Sequence, residues 1–399
     1  MRPHAGIRQF LRSADVIAMD LELNDTQRSA RETARRFARE RLSTASVETD
    51  RTHRFPAEAI AELGRLGMMG VFIPQQYGGA GLDHVSYALV IEELAVECAS
   101  TAVIVSAHSS LASWPILGLG SDEQRARYLP KMAAGEWIGC FALTEPQAGS
   151  DAAGQRTRAV PDGDSYILNG SKNFITNGPQ ASVAIVFAMT DPNQGHRGIS
   201  AFIVETSAPG WQVVRVEEKM GIRGSHSAQL GFSDLRVPRT NLIGAEGEGF
   251  KVAMKTLDGG RIGIAAQAVG IARASLEASL RYAQERQAFG RPIAANQAIQ
   301  WKLADMAVEI DAARLLTLRA ATLKDAGQPC TTQSAMAKLF AAEAAMKAAT
   351  EAVQVHGGYG YTKEFKVERY FRDAKITEIY EGTSEIQRLV ISNHVLEQR

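Results

Sequence analysis

The chain has 399 residues, and 44 Lys plus Arg balance 44 Asp plus Glu for a formal net charge of zero. At roughly 150 residues per domain the length predicts two or three domains, and the even charge argues against a general polyanion binder, which carries a basic excess. Hydrophobic residues at 45% and charged residues at 22% match an ordinary globular chain, and no run reaches the ~18 uninterrupted apolar residues that suggest a membrane span. Cys98, Cys140 and Cys330 are far apart and form no CxxC pair, which fits a reducing compartment and speaks against a disulfide framework or a zinc site.

Residues 1–18 carry Arg2, Arg8 and Arg12 against Asp15 and stop before a second methionine, Met19. They read as an N-terminal extension or an over-long start, with a short mitochondrial-type targeting segment as the alternative and no secretory signal. From 19 to 137 the pattern is helical. Asn24 or Asp25 can cap a helix whose apolar side includes Ala30, Ala34, Phe37, Ala38 and Leu42. Pro56 suits a first helical turn, Pro74 to Gly81 is a loop, and Val85 to Cys98 is the next helix.

From 138 to 249 the texture becomes β-rich. Short runs at Tyr166–Leu168, Phe174–Thr176, Val183–Ala188, Ala201–Glu205 and Gln212–Val216 are separated by turn clusters, which predicts a small antiparallel barrel or sandwich. From 250 to 399 long helices return. Leu303, Met306, Ile310, Ala313 and Leu316 repeat at helical spacing, Ala335 to Val355 is alanine-rich, and Gly327-Gln328-Pro329 and Gly357-Gly358 are breaks. Long helices with short connections predict a bundle.

Several chemistries are absent. The sequence holds no GxxxxGK[ST] loop, no GxSxG elbow and no HExxH, and Gly244, Gly247 and Gly249 do not complete a dinucleotide fingerprint. A nicotinamide enzyme and a metal hydrolase are therefore poor readings. Four stretches stand out instead: Phe141 to Asp151 (FALTEPQAGSD), Phe174 to Gly178 (FITNG), Gln354 to Asp373 (QVHGGYGYTKEFKVERYFRD) and Ile379 to Gln387 (IYEGTSEIQ).

Together these stretches resemble the acyl-CoA dehydrogenase family from about Met19 to Val395, in zone order and spacing as well as in motif. The resemblance implies an N-terminal α-helical domain, a middle β-barrel domain and a C-terminal four-helix bundle, with FAD between the last two. It implies that Phe141, Leu143, Thr144, Gly149 and Ser150 line the flavin, and that Phe174, Ile175 and Thr176 pack on it, Phe174 standing where the family often has Trp. It places Arg286, Gln297 and the loop Gln354, Val355, His356, Gly357 and Gly358 on the adenine and pyrophosphate of a flavin held by a neighbouring subunit. A guanidinium suits pyrophosphate because it contacts two oxygens at once. Thr383, Ser384 and Glu385 would return to the flavin, while Ser150, Asp258, Arg261 and Gly382 would line the substrate.

Glu381 is the implied catalytic base. It follows Ile379 and Tyr380 and precedes Gly382, and a carboxylate desolvated in such a turn gains basicity. Some family members carry the base just before the Arg of the segment Leu257-Asp258-Gly259-Gly260-Arg261; here that position is Gly260, so no second base competes. The implied reaction is FAD-dependent α,β-dehydrogenation of an acyl-CoA to a trans-2-enoyl-CoA, as in fatty-acid β-oxidation or branched-chain amino-acid degradation. Electrons would pass to an electron-transfer flavoprotein. No metal, nucleic acid or membrane is implied. GCFALTEP, LDGGR and IYEGTSEIQR most resemble short-chain and short branched-chain members, with the pocket floor expected from the helices around Leu89 to Ala102 and from the start of the bundle. A homotetramer is expected, in the cytoplasm of a bacterium or the mitochondrial matrix of a eukaryote. The alternatives are an acyl-CoA oxidase using oxygen directly and a non-catalytic helical scaffold.

Overall fold

The computed structural model describes residues 22–397, so the extension expected at 1–18 lies outside them. The N-terminal helices begin at α1 (Asp25–Phe37), where the Asn24 side chain accepts from the Gln27 N–H at 2.9 Å and Gln27 accepts from the Asn24 N–H at 3.1 Å. This reciprocal capping satisfies two donors that a helix start otherwise leaves open. A π-helical turn, Ala38–Leu42, extends α1, followed by α2 (Ala45–Thr52) and α3 (Ala57–Arg65). Pro56 sits at the cap position just before α3 rather than inside its first turn. The helix α4 (His84–Glu97), capped by Asp83, is buried on nearly all sides. After it α5 (Ala99–Ser106), a π-helical segment Ala107–Ser113, and α6 (Trp114–Leu119) run on as one helical stretch. By length and composition Ala99–Leu119 could cross a membrane, but 78% of its most apolar window is buried inside the fold, so it serves as a core helix. The zone closes with α7 (Asp122–Ala133).

The middle zone is an eight-stranded sheet: β1 (Gly139–Ala142), β2 (Arg158–Asp162), β3 (Ser165–Thr176), β4 (Val183–Met189), β5 (Ile199–Glu205), β6 (Trp211–Val216), β7 (Ser227–Pro238) and β8 (Leu242–Ile243). Its path is β6-β7-β3-β2-β4-β5-β8, with β1 beside β4. Alternate residues of β4 and β5, such as Val186 and Phe202, share one apolar interior with Leu168, Leu230 and Phe232 of β3 and β7, so the sheet curls around a barrel-like core. The other face of β4 and β5 (Val183, Ile185, Phe187, Ile203) packs on Ile116, Tyr128 and Leu129 of the helices. Burial on both faces explains why β4 reads as a continuous apolar run.

Two expectations are corrected here. Tyr166–Leu168 and Phe174–Thr176 are not separate strands but the two ends of β3, which is interrupted by irregularities after Leu168 and Lys172. The sheet is also not wholly antiparallel, since β1 and β2 pair with β4 in parallel.

The C-terminal zone begins with α8 (Gly249–Glu285), then a small hairpin of β9 (Gln287–Ala288) and β10 (Arg291–Pro292). It continues with α9 (Gln297–Asp325), α10 (Thr331–His356), α11 (Val367–Thr377) and α12 (Ser384–Glu397). Buried Ala337, Ala341, Ala345 and Ala348 let α10 approach its neighbours closely. The ERYFRD end of the third motif locks the zones together. Arg372 pairs with Asp50 at 2.7 Å and bonds the Met220 carbonyl, while Asp373 accepts from the Ile222 N–H.

A second lock is a buried charge network. Arg273 of α8 reaches Glu92 at 2.6 Å and Glu93 at 2.5 Å on α4, Arg35 of α1 meets Glu93 at 2.7 Å, and Arg314 of α9 meets Glu92 at 2.7 Å. Removing Arg273 leaves Glu92 with Arg314 alone and Glu93 with Arg35 alone, so two buried carboxylates each lose a charged donor, at a cost of about 1–3 kcal/mol. Arg273→Met should therefore lower the denaturant midpoint clearly, whereas exposed Arg54→Met should leave it unchanged; equal midpoints for wild type and Arg273→Met would contradict this role.

Candidate active site

Between α11 and α12 the chain makes a tight turn in which two successive residues, Glu381 (φ 53°) and Gly382 (φ 91°), are left-handed. A glutamate held there costs of order 1–3 kcal/mol and persists only where surrounding bonds fix it. Gln387 Nε2 donates to the carbonyls of both residues at 3.0 Å, Lys338 Nζ donates to the Gly382 carbonyl at 2.7 Å, and the Ser384 N–H reaches the Glu378 carbonyl at 2.9 Å. The backbone N–H of Glu381 finds no backbone carbonyl among the described residues.

The turn drives the Glu381 side chain inward. The residue as a whole is half-buried, but Oε2 is buried and has no hydrogen-bond partner. Gly260 of α8 lies directly beneath: a Cβ there would overlap Oε2 and stand 2.7 Å from Leu111 Cδ2. Leu111 belongs to the π-helical segment, a geometry that often marks functional sites. Burial pushes the Glu381 carboxyl up to about 8, against the opposing pull of the Lys338 and Arg261 charges. A carboxylate poised near neutrality, desolvated and unpaired, has the properties of a general base.

Of the expected substrate-side residues, Arg261 is buried and pairs with Asp258 at 3.0 Å, Asp258 also accepts from Thr331 Oγ1 at 2.7 Å, and Arg261 Nε has no partner. Tyr87 hydrogen-bonds Ser106 at 2.9 Å, and a Cβ at Gly263 would overlap both hydroxyls. Tyr380 donates to Gln267. Burial and the nearby Glu381 charge hold the Tyr87 hydroxyl protonated.

FALTEPQAGSD is braced from inside. Lys172, fully buried, bonds Glu145 at 2.8 Å, the Leu143 carbonyl at 3.1 Å and Gln155 at 3.0 Å, while Glu145 also accepts from the backbone of Arg156 and Thr157. Burial alone would raise Glu145, but Lys172 and these donors bring it down to about 2. The loop thus braced presents half-buried Phe141 and Thr144 and exposed Gly149 and Ser150. A Cβ at Gly149 would meet nothing within 4 Å. Beside it the Asn173 N–H bonds the Thr144 carbonyl at 2.8 Å, Ile175 is buried and Thr176 half-buried, and Phe174 (φ 57°) presents its ring outward, 64% exposed. Thr383 Oγ1 accepts from the Ile386 N–H at the start of α12, Ser384 Oγ is buried without a partner, and Glu385 is exposed.

The remaining expected residues gather elsewhere. A cavity of about 500 Å³ is lined by Arg286, Val355, His356, Gly357 and Gly358 with Tyr282 and Tyr359. The Arg286 guanidinium lies 5.6 Å over the Tyr359 ring, and His356 stacks on Tyr282 at 4.2 Å. Gln297 and Gln354 are exposed and do not line it. Lys338, beside Glu381, and Val355, at this cavity, are seventeen residues apart on α10, which is about 26 Å along a helix axis. The two clusters therefore lie apart on one protomer. Lys338, Tyr87, Gln267 and the Lys172–Glu145 pair are contributors that sequence reading missed; the motif's own Glu145 was the one available signal.

A helical N-terminal layer, a curled middle sheet and a helical bundle enclose a buried carboxylate suited to acid–base chemistry, and sequence comparison makes the class specific. The acyl-CoA dehydrogenase N-terminal domain matches residues 24–136, the middle domain 140–235 and the C-terminal domain 247–396. The chain belongs to the acyl-CoA dehydrogenase family. It is 51% identical over 376 residues to an acyl-CoA dehydrogenase of Bacillus subtilis, covering 94% of this chain and 99% of that one. It is 49% identical over 396 residues to the mitochondrial short-chain specific acyl-CoA dehydrogenase of Mus musculus, covering 99% and 96%. Among solved structures, butyryl-CoA dehydrogenase from Megasphaera elsdenii superposes with a TM-score of 0.94 at 46% identity, over 95% of this chain and all of that one. A chain from work on the electron transferring flavoprotein of Acidaminococcus fermentans gives 0.94 at 49% identity, over 95% and 100%. A glutaryl-CoA dehydrogenase from Mycobacterium smegmatis in complex with FADH2 gives 0.89 at 36% identity, over 96% and 97%.

Because only glycine fits beneath Oε2, Gly260→Ala should displace the carboxylate. Acyl-CoA dehydrogenation measured with an artificial electron acceptor should fall by ~10²-fold, the scale of a misplacement near 1 Å, while the circular-dichroism spectrum stays native. Wild-type turnover in Gly260→Ala would show that the close approach does not matter.

Proposed function

We propose that the protein is an FAD-dependent dehydrogenase of short-chain acyl-CoA thioesters, with Glu381 as the base that removes the α-proton. The observation that carries this reading is the buried, unpartnered Glu381 Oε2 over Gly260. The name of the mouse relative and the butyryl-CoA dehydrogenase structure support the short-chain substrate class.

The chain's surfaces fit the flavin. Phe174 offers an exposed ring, Thr144 and Ser150 offer hydroxyls, Ser384 Oγ is an orphaned donor at a helix start, and open Gly149 leaves room for close approach. The cavity at Arg286, Gly357 and Gly358 suits a pyrophosphate-bearing portion. Its distance from Glu381 along α10 supports a flavin shared between subunits. The exposed stripe Trp301, Val308 and Leu315 on α9, spaced by heptads, supports a second copy of the chain as its cover. A homotetramer and an electron-transfer flavoprotein as electron acceptor complete the reading, the latter supported by the Acidaminococcus structure.

Held against Phe174, Thr144 and Ser150, FAD would supply the acceptor for the hydride leaving the substrate's Cβ. The protein's part is to handle the proton and the thioester. Glu381 takes the α-proton, and its own free backbone N–H is placed to donate to the thioester carbonyl, where negative charge develops. Gly382 lets the backbone turn away beneath the thioester. Asp258 fixes Arg261 on the substrate side. Tyr87 with Ser106, and Tyr380 with Gln267, fill the interior near Glu381 and limit how many methylenes enter.

Glu381→Gln tests the assignment: turnover should fall by ~10²–10⁴-fold with flavin content intact, and bleaching of the mutant flavin by butyryl-CoA at the wild-type rate would remove Glu381 as the base. Glu381 must be ionised to accept a proton, and burial has raised its carboxyl to about 8. The wild-type rate of flavin reduction should therefore rise with pH through about 8 and level off above it. Each methylene that fits contributes about 0.8 kcal/mol, so chain-length discrimination should be graded; kcat/KM rising steadily from about four to twelve carbons would refute the short-chain class.

A further inference from the structure

Lys338 is a lysine that the fold has every reason to exclude. It sits on α10 among buried Ala335, Ala337, Ala341 and Ala342, and its own side chain is fully buried. Its ammonium has three donors but makes a single hydrogen bond, to the Gly382 carbonyl at 2.7 Å, and no carboxylate oxygen lies within ion-pair distance among the described residues. Burying a cation with so few partners opposes folding. An apolar side chain of similar length would suit the surrounding alanines better.

What the position gains is proximity to Glu381. We propose that Lys338 is a positioning residue for the base: it pins the left-handed Glu381–Gly382 turn from α10 and sets a positive charge beside the carboxylate, keeping it aimed and ionised. This rests on Glu381 being the base.

The other charges around the pair support the assignment. On α8, Arg261 also faces Glu381, but it is engaged by Asp258 at 3.0 Å. Glu378 faces Lys338 from the turn and is bound to Lys375 at 2.6 Å, while Glu385 of α12 is exposed. On α4, Tyr87 is neutral. Lys338 is therefore the cation near Glu381 that has no carboxylate of its own. The Gly382 carbonyl lies one peptide beyond the base, so losing that bond frees the very residue whose φ of 91° lets the turn form.

Two variants test the assignment. In flavin-loaded enzyme, Lys338→Met removes both the hydrogen bond and the charge, and Lys338→Gln keeps a donor but not the charge. Both should move the acid limb of the kcat profile upward by about one pH unit, the effect of losing one nearby opposite charge, and lower kcat at pH 7 by ~10-fold or more with KM little changed. Melting temperature should be unchanged or higher, because a poorly partnered buried cation has been removed. An unmoved acid limb in a folded, flavin-loaded variant overturns the proposal. So does loss of flavin or of the folded state in both variants, which would make Lys338 structural. Glu381→Gln run alongside separates the two readings: full activity there would remove the base itself, whereas an inactive Glu381→Gln with unmoved Lys338 variants removes only the role of Lys338.

Discussion

The rest of the structure is arranged around the pressing of one carboxylate against the backbone of one helix. Glu381 Oε2 occupies the space that any side chain at Gly260 would need. Excluding water there makes an ordinary glutamate weakly acidic, because its charged form loses hydration that two nearby cations only partly replace. Maintaining that exclusion requires α8 to be immobile at this level. The Arg273 network fastens it to α4 thirteen residues further on, and the π-helical segment seats Leu111 beside Gly260. The proposed base sits in a left-handed turn whose carbonyls Gln387 and Lys338 hold.

The helix α10 links the two halves of the site. Near its start Lys338 holds the Glu381–Gly382 turn, and at its end Val355, His356 and Gly357 open onto the Arg286 cavity. The two ends lie about 26 Å apart along the helix axis, which is the observation behind the proposal that each flavin is shared between two protomers. Loss of subunit association would then cost cofactor as well as quaternary structure.

Much of this was legible in the sequence. Helix starts were readable because capping is local: Asn24 with Gln27 satisfies donors three residues apart. The β4 run and the alanines of α10 were readable because both reflect burial along one element. The strands β1, β2, β7 and β8 were not. β1 is four residues long, β2 contains Pro161, and β7 is broken by Gly231, Ser233 and Asp234; their extended form is imposed by distant partners. The same holds for the parallel pairing of β1 with β4. Within the site, Glu381 and Gly260 stood out through the family's motifs. Lys338 and Lys172 did not, because a lone lysine in a helix or a strand reads as a solvated charge. Only tertiary packing places one under Gly382 and the other against Glu145.

The central claim is that desolvation makes Glu381 a base near neutrality. Infrared difference spectra of wild type minus Glu381→Gln, recorded across pH 5 to 10 with flavin bound, read that carboxyl directly. The account predicts a protonated-carboxyl band that persists at neutral pH and is lost with a midpoint near the raised value of about 8. A band already lost below about pH 5, the range of a solvated glutamate, would contradict it.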